Sequence, residues 1–255
     1  MRLLGYNLWQ ESGRSIFSTA IYLALFLVST IFFSLITYGV YSIGLISSNT
    51  ETFVLEVASL LSLSVAVFLY AKLYKKERLK DTLSFLGLSK DRISVNVLWI
   101  GALLFIIILL LELAVGTFGN FSNTTINTNT GILFTGAPLW FYVFVAVIEP
   151  INEEIVFRGF LIKRINIGAG AIGSSLLKRS YRPFWVGIVA SAIIFGLLHA
   201  SYDSTFAIEV IAAMFFGLMA GYVFSKSDSL YPSMLAHILV NSIGVLAILS
   251  IILIH

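Results

Sequence analysis

Eleven residues near the middle of the chain, Glu149-Pro150-Ile151-Asn152-Glu153-Glu154-Ile155-Val156-Phe157-Arg158-Gly159, hold three carboxylates and one guanidinium. On a helix Glu154 and Arg158 stand at i and i+4, close enough for an ion pair, and Glu149 and Glu153 do the same on another part of the surface. Arg158 neutralises one carboxylate and leaves Glu153 to act as a proton acceptor near neutral pH. Of the three histidines, His255 ends the chain, His199 ends Phe195-Gly196-Leu197-Leu198-His199, and His237 opens His237-Ile238-Leu239-Val240-Asn241. His237 and Asn241 therefore share one helix face, a turn apart. A carboxylate and a His from a second helix can activate water, while a second His and an Asn from a third can donate hydrogen bonds to a developing oxyanion. That is enough to hydrolyse an amide without a Ser or Cys nucleophile, and the chain contains no Cys.

The segments that must position these groups are apolar. Of 255 residues 58% are hydrophobic and 11% charged, against roughly 45–50% and about 25% in average soluble domains. In water such a chain would expose far more apolar surface than soluble monomers tolerate. Disorder is excluded by 21 Phe, 11 Tyr and 4 Trp, and the absence of Cys excludes a disulfide framework, a zinc ribbon or a thiol nucleophile. The runs are too long and too uniform for membrane β-strands and suit helices of about 20 residues. They predict an all-α polytopic membrane bundle of about seven transmembrane helices: Ile16–Tyr38, Phe53–Ala71, Ile93–Val115, Pro138–Ile162, Phe184–Ala200, Phe206–Phe224 and Ser233–Ile254. The first is too long for a signal h-region and reads as a retained span.

The net charge of +3 does not indicate nucleic acid. Every Lys and Arg but one lies before the first span or in the second, fourth and sixth loops, which reports orientation: the N-terminus is expected to be cytoplasmic and the C-terminus external. The exception is Arg158. The loop from Thr117 to Ala137 contains Asn120-Phe-Ser122 and Asn123-Thr-Thr125, which fit the glycosylation pattern but arise easily in so polar a stretch, and it reads as an external connection. Charged groups at the centre of a bilayer cost roughly 2.5–3.5 kcal/mol each, so those of the fourth span should face the bundle interior, around a buried polar cavity. Taken singly, each polar group has a structural reading, as an ion pair or as interhelical glue. Their joint occurrence on three late helices favours chemistry.

At these residues the sequence resembles the CPBP family, the CAAX-protease and bacteriocin-processing intramembrane peptidases also called Abi proteins. The family pattern is Glu-Glu-x-x-x-Arg, then Phe-x-x-x-His, then His-x-x-x-Asn or Asp, matched here by Glu153, Glu154 and Arg158, by Phe195 and His199, and by His237 and Asn241. The resemblance spans about Pro138 to Gly244; the earlier helices match only in hydrophobicity. This divides one membrane domain into an N-terminal part, residues 1–137, and catalytic helices, residues 138–255. The resemblance implies that Glu153 and His199 activate water, that His237 and Asn241 form the oxyanion site, and that Glu154 and Arg158 hold the first motif helix in place. Zinc held by Glu153, His199 and His237 and a metal-free mechanism both remain open. The metal-free one is preferred because His237 is then free to donate. The implied partners are membrane lipid and a peptide or protein substrate, either prenylated or a bacteriocin-like precursor. A non-proteolytic immunity or partner role and, less favoured for want of an inverted repeat, a proton-coupled transporter are the alternatives.

One spacing sits badly with straight helices. His199 lies about 15 residues above Phe184, roughly 22 Å, whereas His237 lies only about 6 Å above Ser233. The expected resolution is that the fifth helix starts earlier, within Gly168–Ser175.

Overall fold

The computed structural model of the chain describes residues 2–45, 47–118, 137–177, 184–199 and 206–254. All regular structure among them is helical: α1 (Arg2–Ser42), α2 (Ser48–Leu69) continued by a π-helical turn (Tyr70–Tyr74), the short α3 (Leu79–Leu86), α4 (Val95–Phe118), α5 (Leu139–Val143), α6 (Glu149–Glu154), α7 (Lys163–Leu177), α8 (Phe184–Leu198), α9 (Phe206–Ser227) and α10 (Tyr231–Ile254). Two π-helical segments, Phe144–Ile148 and Ile155–Ile162, join α5, α6 and α7 into one composite helix. The two glycosylation-type triplets lie outside the described residues.

Among the described residues four helices are long and apolar enough to cross a membrane, at Ala24–Ser42, Phe53–Tyr74, Val210–Ser227 and Tyr231–Ser250, and the pair Leu79–Arg92 and Val95–Leu111, bent by 105°, allows a fifth. The expected count of seven is not reached on length and composition. The composite helix carries Glu149, Glu153, Glu154 and Arg158 in the stretch that would have to cross, and α8 has 15 described residues. Burial is inverted relative to a soluble protein. Leu35, Trp99 and Leu198 are at least 66% exposed, whereas Asn152, Glu153, Glu154, Arg158 and His237 are all buried. In a lipid solvent apolar side chains need no cover, and polar ones face the interior.

The fifth helix does not begin in Gly168–Ser175. That stretch belongs to α7, the continuation of the fourth, and the described part of α8 starts at Phe184. α8 folds back on the composite helix at Gly187, whose amide donates to Asn166 Oδ1 at 2.7 Å. A Cβ at Gly187 would stand 2.4 Å from Ile162 O, so only glycine permits this approach. α8 and α9 then form an antiparallel pair through small residues, with Gly196 against Met214, Gly217 against Ala192 and Gly221 against Ile188. The first helices close the opposite side: the Tyr22 ring packs tilted against Phe160, Asn152 Nδ2 donates to Leu60 O at 2.6 Å, and Gly101 meets Pro232.

The first π-helical segment has a cause in the sequence. The Glu149 amide reaches back five residues to Phe144 O. The next carbonyl, Val145 O, would need Pro150, which has no N–H. Asn241 Nδ2, on α10, donates to Val145 O at 3.0 Å and so fills the gap from another helix. In the second π-helical segment Phe157 O similarly accepts from Ser191 Oγ of α8 at 2.9 Å.

Two sets of substitutions test this packing by denaturation of the purified protein in detergent. Asn241→Leu should cost about 1–3 kcal/mol by stranding a buried carbonyl. In a Pro150→Ala background, which restores an N–H for Val145 O, the same change should cost clearly less; equal costs in both backgrounds would refute the pairing of proline gap and amide. Gly187→Ala should destabilise by about 1–3 kcal/mol through overpacking. Gly39→Ala, where a Cβ meets nothing within 4 Å, should be neutral or mildly stabilising.

Candidate active site

Glu153, Glu154 and Arg158 sit where α6 passes into the second π-helical segment. Glu154 is fully buried and its Oε1 takes two partners: Arg158 Nη1 at 3.2 Å and His237 Nδ1 at 3.0 Å. The Arg158 guanidinium lies between two rings, 4.2 Å from the centroid of Phe195 and 5.1 Å from that of Phe216. Its hydrogen-bonding is incomplete, since Nε, Nη1, Nη2 and Glu154 Oε2 find no hydrogen-bond partner among the described residues. The opposite charge of Glu154 and the two aromatic faces therefore carry its stabilisation.

His237 stands between the two carboxylates. Its Nδ1 faces Glu154 and its Nε2 lies 3.5 Å from Glu153 Oε2. A carboxylate can only accept, so Nδ1 carries a proton. A second proton must lie between Nε2 and Glu153, because a nitrogen lone pair and a carboxylate would otherwise face each other. With that proton counted, the cluster of Glu153, Glu154, Arg158 and His237 carries no net charge. That is the state a nearly water-free interior favours.

The two distant histidines meet through Phe195. His199 closes α8, exposed at the end of the helix, with its ring 4.4 Å from that of Phe195; the ring of His237 is 5.9 Å from Phe195 on another side. His199 Nδ1 lies 2.8 Å from Phe195 O, an acceptor, which fixes the proton on Nδ1 and the lone pair on Nε2. Asn241 is one turn beyond His237 and donates to Val145 O. Its amide has a second hydrogen, which no described group takes.

The donor set does not suit a zinc ion in this arrangement. Both ring nitrogens of His237 face carboxylates, and among the described residues no group of three or more His, Asp or Glu is placed to hold a metal. Glu153 and His237 are buried, and the rings of Phe195 and Phe216 pack against Arg158 and His237. A small pocket lies elsewhere, against Tyr70, Glu77, Phe85, Phe160 and Arg164.

Two contributors escape sequence reading. Phe216 of α9 lies 4.5 Å from the His237 ring and covers Arg158, yet α9 is apolar on every side and one Phe in it carries no signal. Asn152 is buried and bridges to α2; its place beside Glu153 is the only hint.

No curated protein and no solved structure matches the chain. Residues 134–243 match the family model described as Rce1-like, Type II CAAX prenyl endopeptidase Rce1-like, a protease family whose description points to intramembrane peptide hydrolysis. That range takes in all seven motif residues from Glu153 to Asn241, so the likeness to the Rce1-like family falls on the candidate site and is consistent with the CPBP family.

Proposed function

We propose that the protein is an intramembrane endopeptidase that hydrolyses a peptide bond close to the membrane, with a prenylated C-terminal peptide as substrate. The observation that carries this reading is Glu154, which holds Arg158 and His237 at once and so sets His237 Nε2 against Glu153. The matched family description supports the substrate class. Residues 138–255 supply the chemistry, and residues 1–137 supply helices that brace it.

Glu153, with His199, takes a proton from water; the water oxygen adds to the scissile carbonyl carbon. The resulting oxyanion is held by His237, once Nε2 carries the proton shared with Glu153, and by the second amide hydrogen of Asn241. Collapse breaks the C–N bond, and the proton first taken by Glu153 passes to the departing amine. Glu154 and Arg158 act on no substrate atom. They fix the tautomer and position of His237.

Cleavage of a prenylated peptide by protein reconstituted in liposomes, read by mass spectrometry, tests the assignment. Glu153→Gln and His199→Ala should each lower kcat at least about 100-fold while leaving the melting temperature in detergent near that of the wild type. Wild-type rates in both variants would sink the proposal and favour a binding or immunity role. The N-terminus is cytoplasmic and the C-terminus external in this reading. Because the chain has no Cys, single cysteines introduced at Lys90 and Ser201 should label from opposite sides of the membrane; labelling from the same side would overturn the orientation.

A further inference from the structure

The composite helix and α10 run antiparallel, and their facing pairs fall in order: Val145 with Asn241, Glu154 with His237, Gly159 with Leu230 and Lys163 with Asp228. The last pair lies nine residues from the catalytic cluster on both segments, since Lys163 follows Glu154 by nine and Asp228 precedes His237 by nine. Asp228 forms the turn between α9 and α10 in a left-handed conformation, φ 50°, with its amide bonded to Phe224 O at 2.7 Å. Its two carboxylate oxygens take different cations. Oδ1 is 2.6 Å from Lys163 Nζ, and Oδ2 is 2.6 Å from Arg92 Nη1, just before α4. Both cations have little freedom, with side chains 22% and 23% exposed. Lys163 Nζ also donates to Phe85 O, and Arg92 Nη1 to Asp228 O.

The start of α10 is thus tied to the α3–α4 turn, where Leu230 N donates to Gly87 O at 3.1 Å and Tyr231 Oη to Leu88 O at 2.9 Å. Those bonds fix α10 against its neighbours but do not reach the helix that carries Glu153 and Glu154. At this end of the bundle the Gly159–Leu230 contact with that helix is apolar and can slide, whereas the Lys163–Asp228 pair is a directional tie between that helix and the start of α10.

We propose that Asp228 and Lys163 are positioning residues for the active site: their pairing sets the register in which α10 presents His237 and Asn241 to the carboxylates of the composite helix. The pair touches no substrate. A slide of one residue along a helix displaces a side chain by about 1.5 Å, and misplacement on that scale can cost about 100-fold in rate. The effect on activity rests on the peptidase reading above; the effect on register does not.

The experiment separates the two. Asp228→Asn keeps a residue that tolerates the left-handed turn and removes the charge; Lys163→Met removes the cation and keeps the stem; Lys163→Arg keeps a cation. Spin labels on cysteines introduced at Ile167 of α7 and Leu246 of α10, both exposed, report the axial offset of the two helices in reconstituted protein by pulsed electron resonance. Asp228→Asn and Lys163→Met should shift or broaden the distance distribution and lower kcat roughly 10- to 100-fold, with KM within about twofold. Lys163→Arg should restore both, and the double variant should be no worse than either single one. An unchanged distance overturns the proposal whatever happens to the rate, and so does a changed distance with wild-type kcat. If the wild type cleaves no peptide, the peptidase reading fails, while the distance measurement still decides the register claim.

Discussion

Glu154 is the group on which the site depends. It is fully buried in a low-dielectric interior, and a bare carboxylate there would be too costly to keep ionised. It tolerates the position because Arg158 meets it from the same helix and His237 from another. One side chain therefore decides three things together: the rotamer of Arg158, the tautomer of His237, and the approach of the composite helix to α10. The aromatic rings of Phe195 and Phe216 exclude water from this contact. They strengthen it by lowering the local dielectric and at the same time offer the guanidinium their faces.

A second constraint comes from the backbone. Widening the helix around Glu149–Glu154 releases carbonyls that lipid cannot satisfy, and side chains from α8 and α10 answer them. The polar side chains of this protein thus divide between the buried charge cluster and repair of the main chain, to which Asn241 contributes. Between the widened segments, Glu153 and Glu154, neighbours in sequence, both reach His237.

How much of this could be read from the sequence follows from where polarity is rare. Charged and imidazole groups stand out against apolar helices, which made Glu153, Glu154, Arg158, His199 and His237 visible; Glu153, Glu154, Arg158 and His237 meet directly, whereas His199 touches Phe195 and Asn241 bonds Val145 O. Helix limits near Val95 and Tyr231 were legible within two residues of the apolar runs. The continuation of the fourth helix beyond Ile162 was not, because Lys163, Arg164 and the following glycines end the hydropathic signal while leaving the hydrogen-bond ladder intact. Phe216 was hidden by a uniformly apolar helix. The consequence of Pro150 could not be read either, since the acceptor it abandons, Val145 O, is satisfied by a residue 96 positions away.

The equal arms between the Lys163–Asp228 contact and the Glu154–His237 contact make segment length as consequential as residue identity. Deleting one residue from either arm would rotate one reacting side chain by about 100° around its helix and turn it away from its partner. Matched deletions in both arms would rotate both sides and still leave them misaligned. Substitutions of apolar residues within the arms are therefore tolerable wherever volume is kept, whereas insertions and deletions are not. Length variation should be confined to loops outside the interval from Glu154 to Lys163 and from Asp228 to His237.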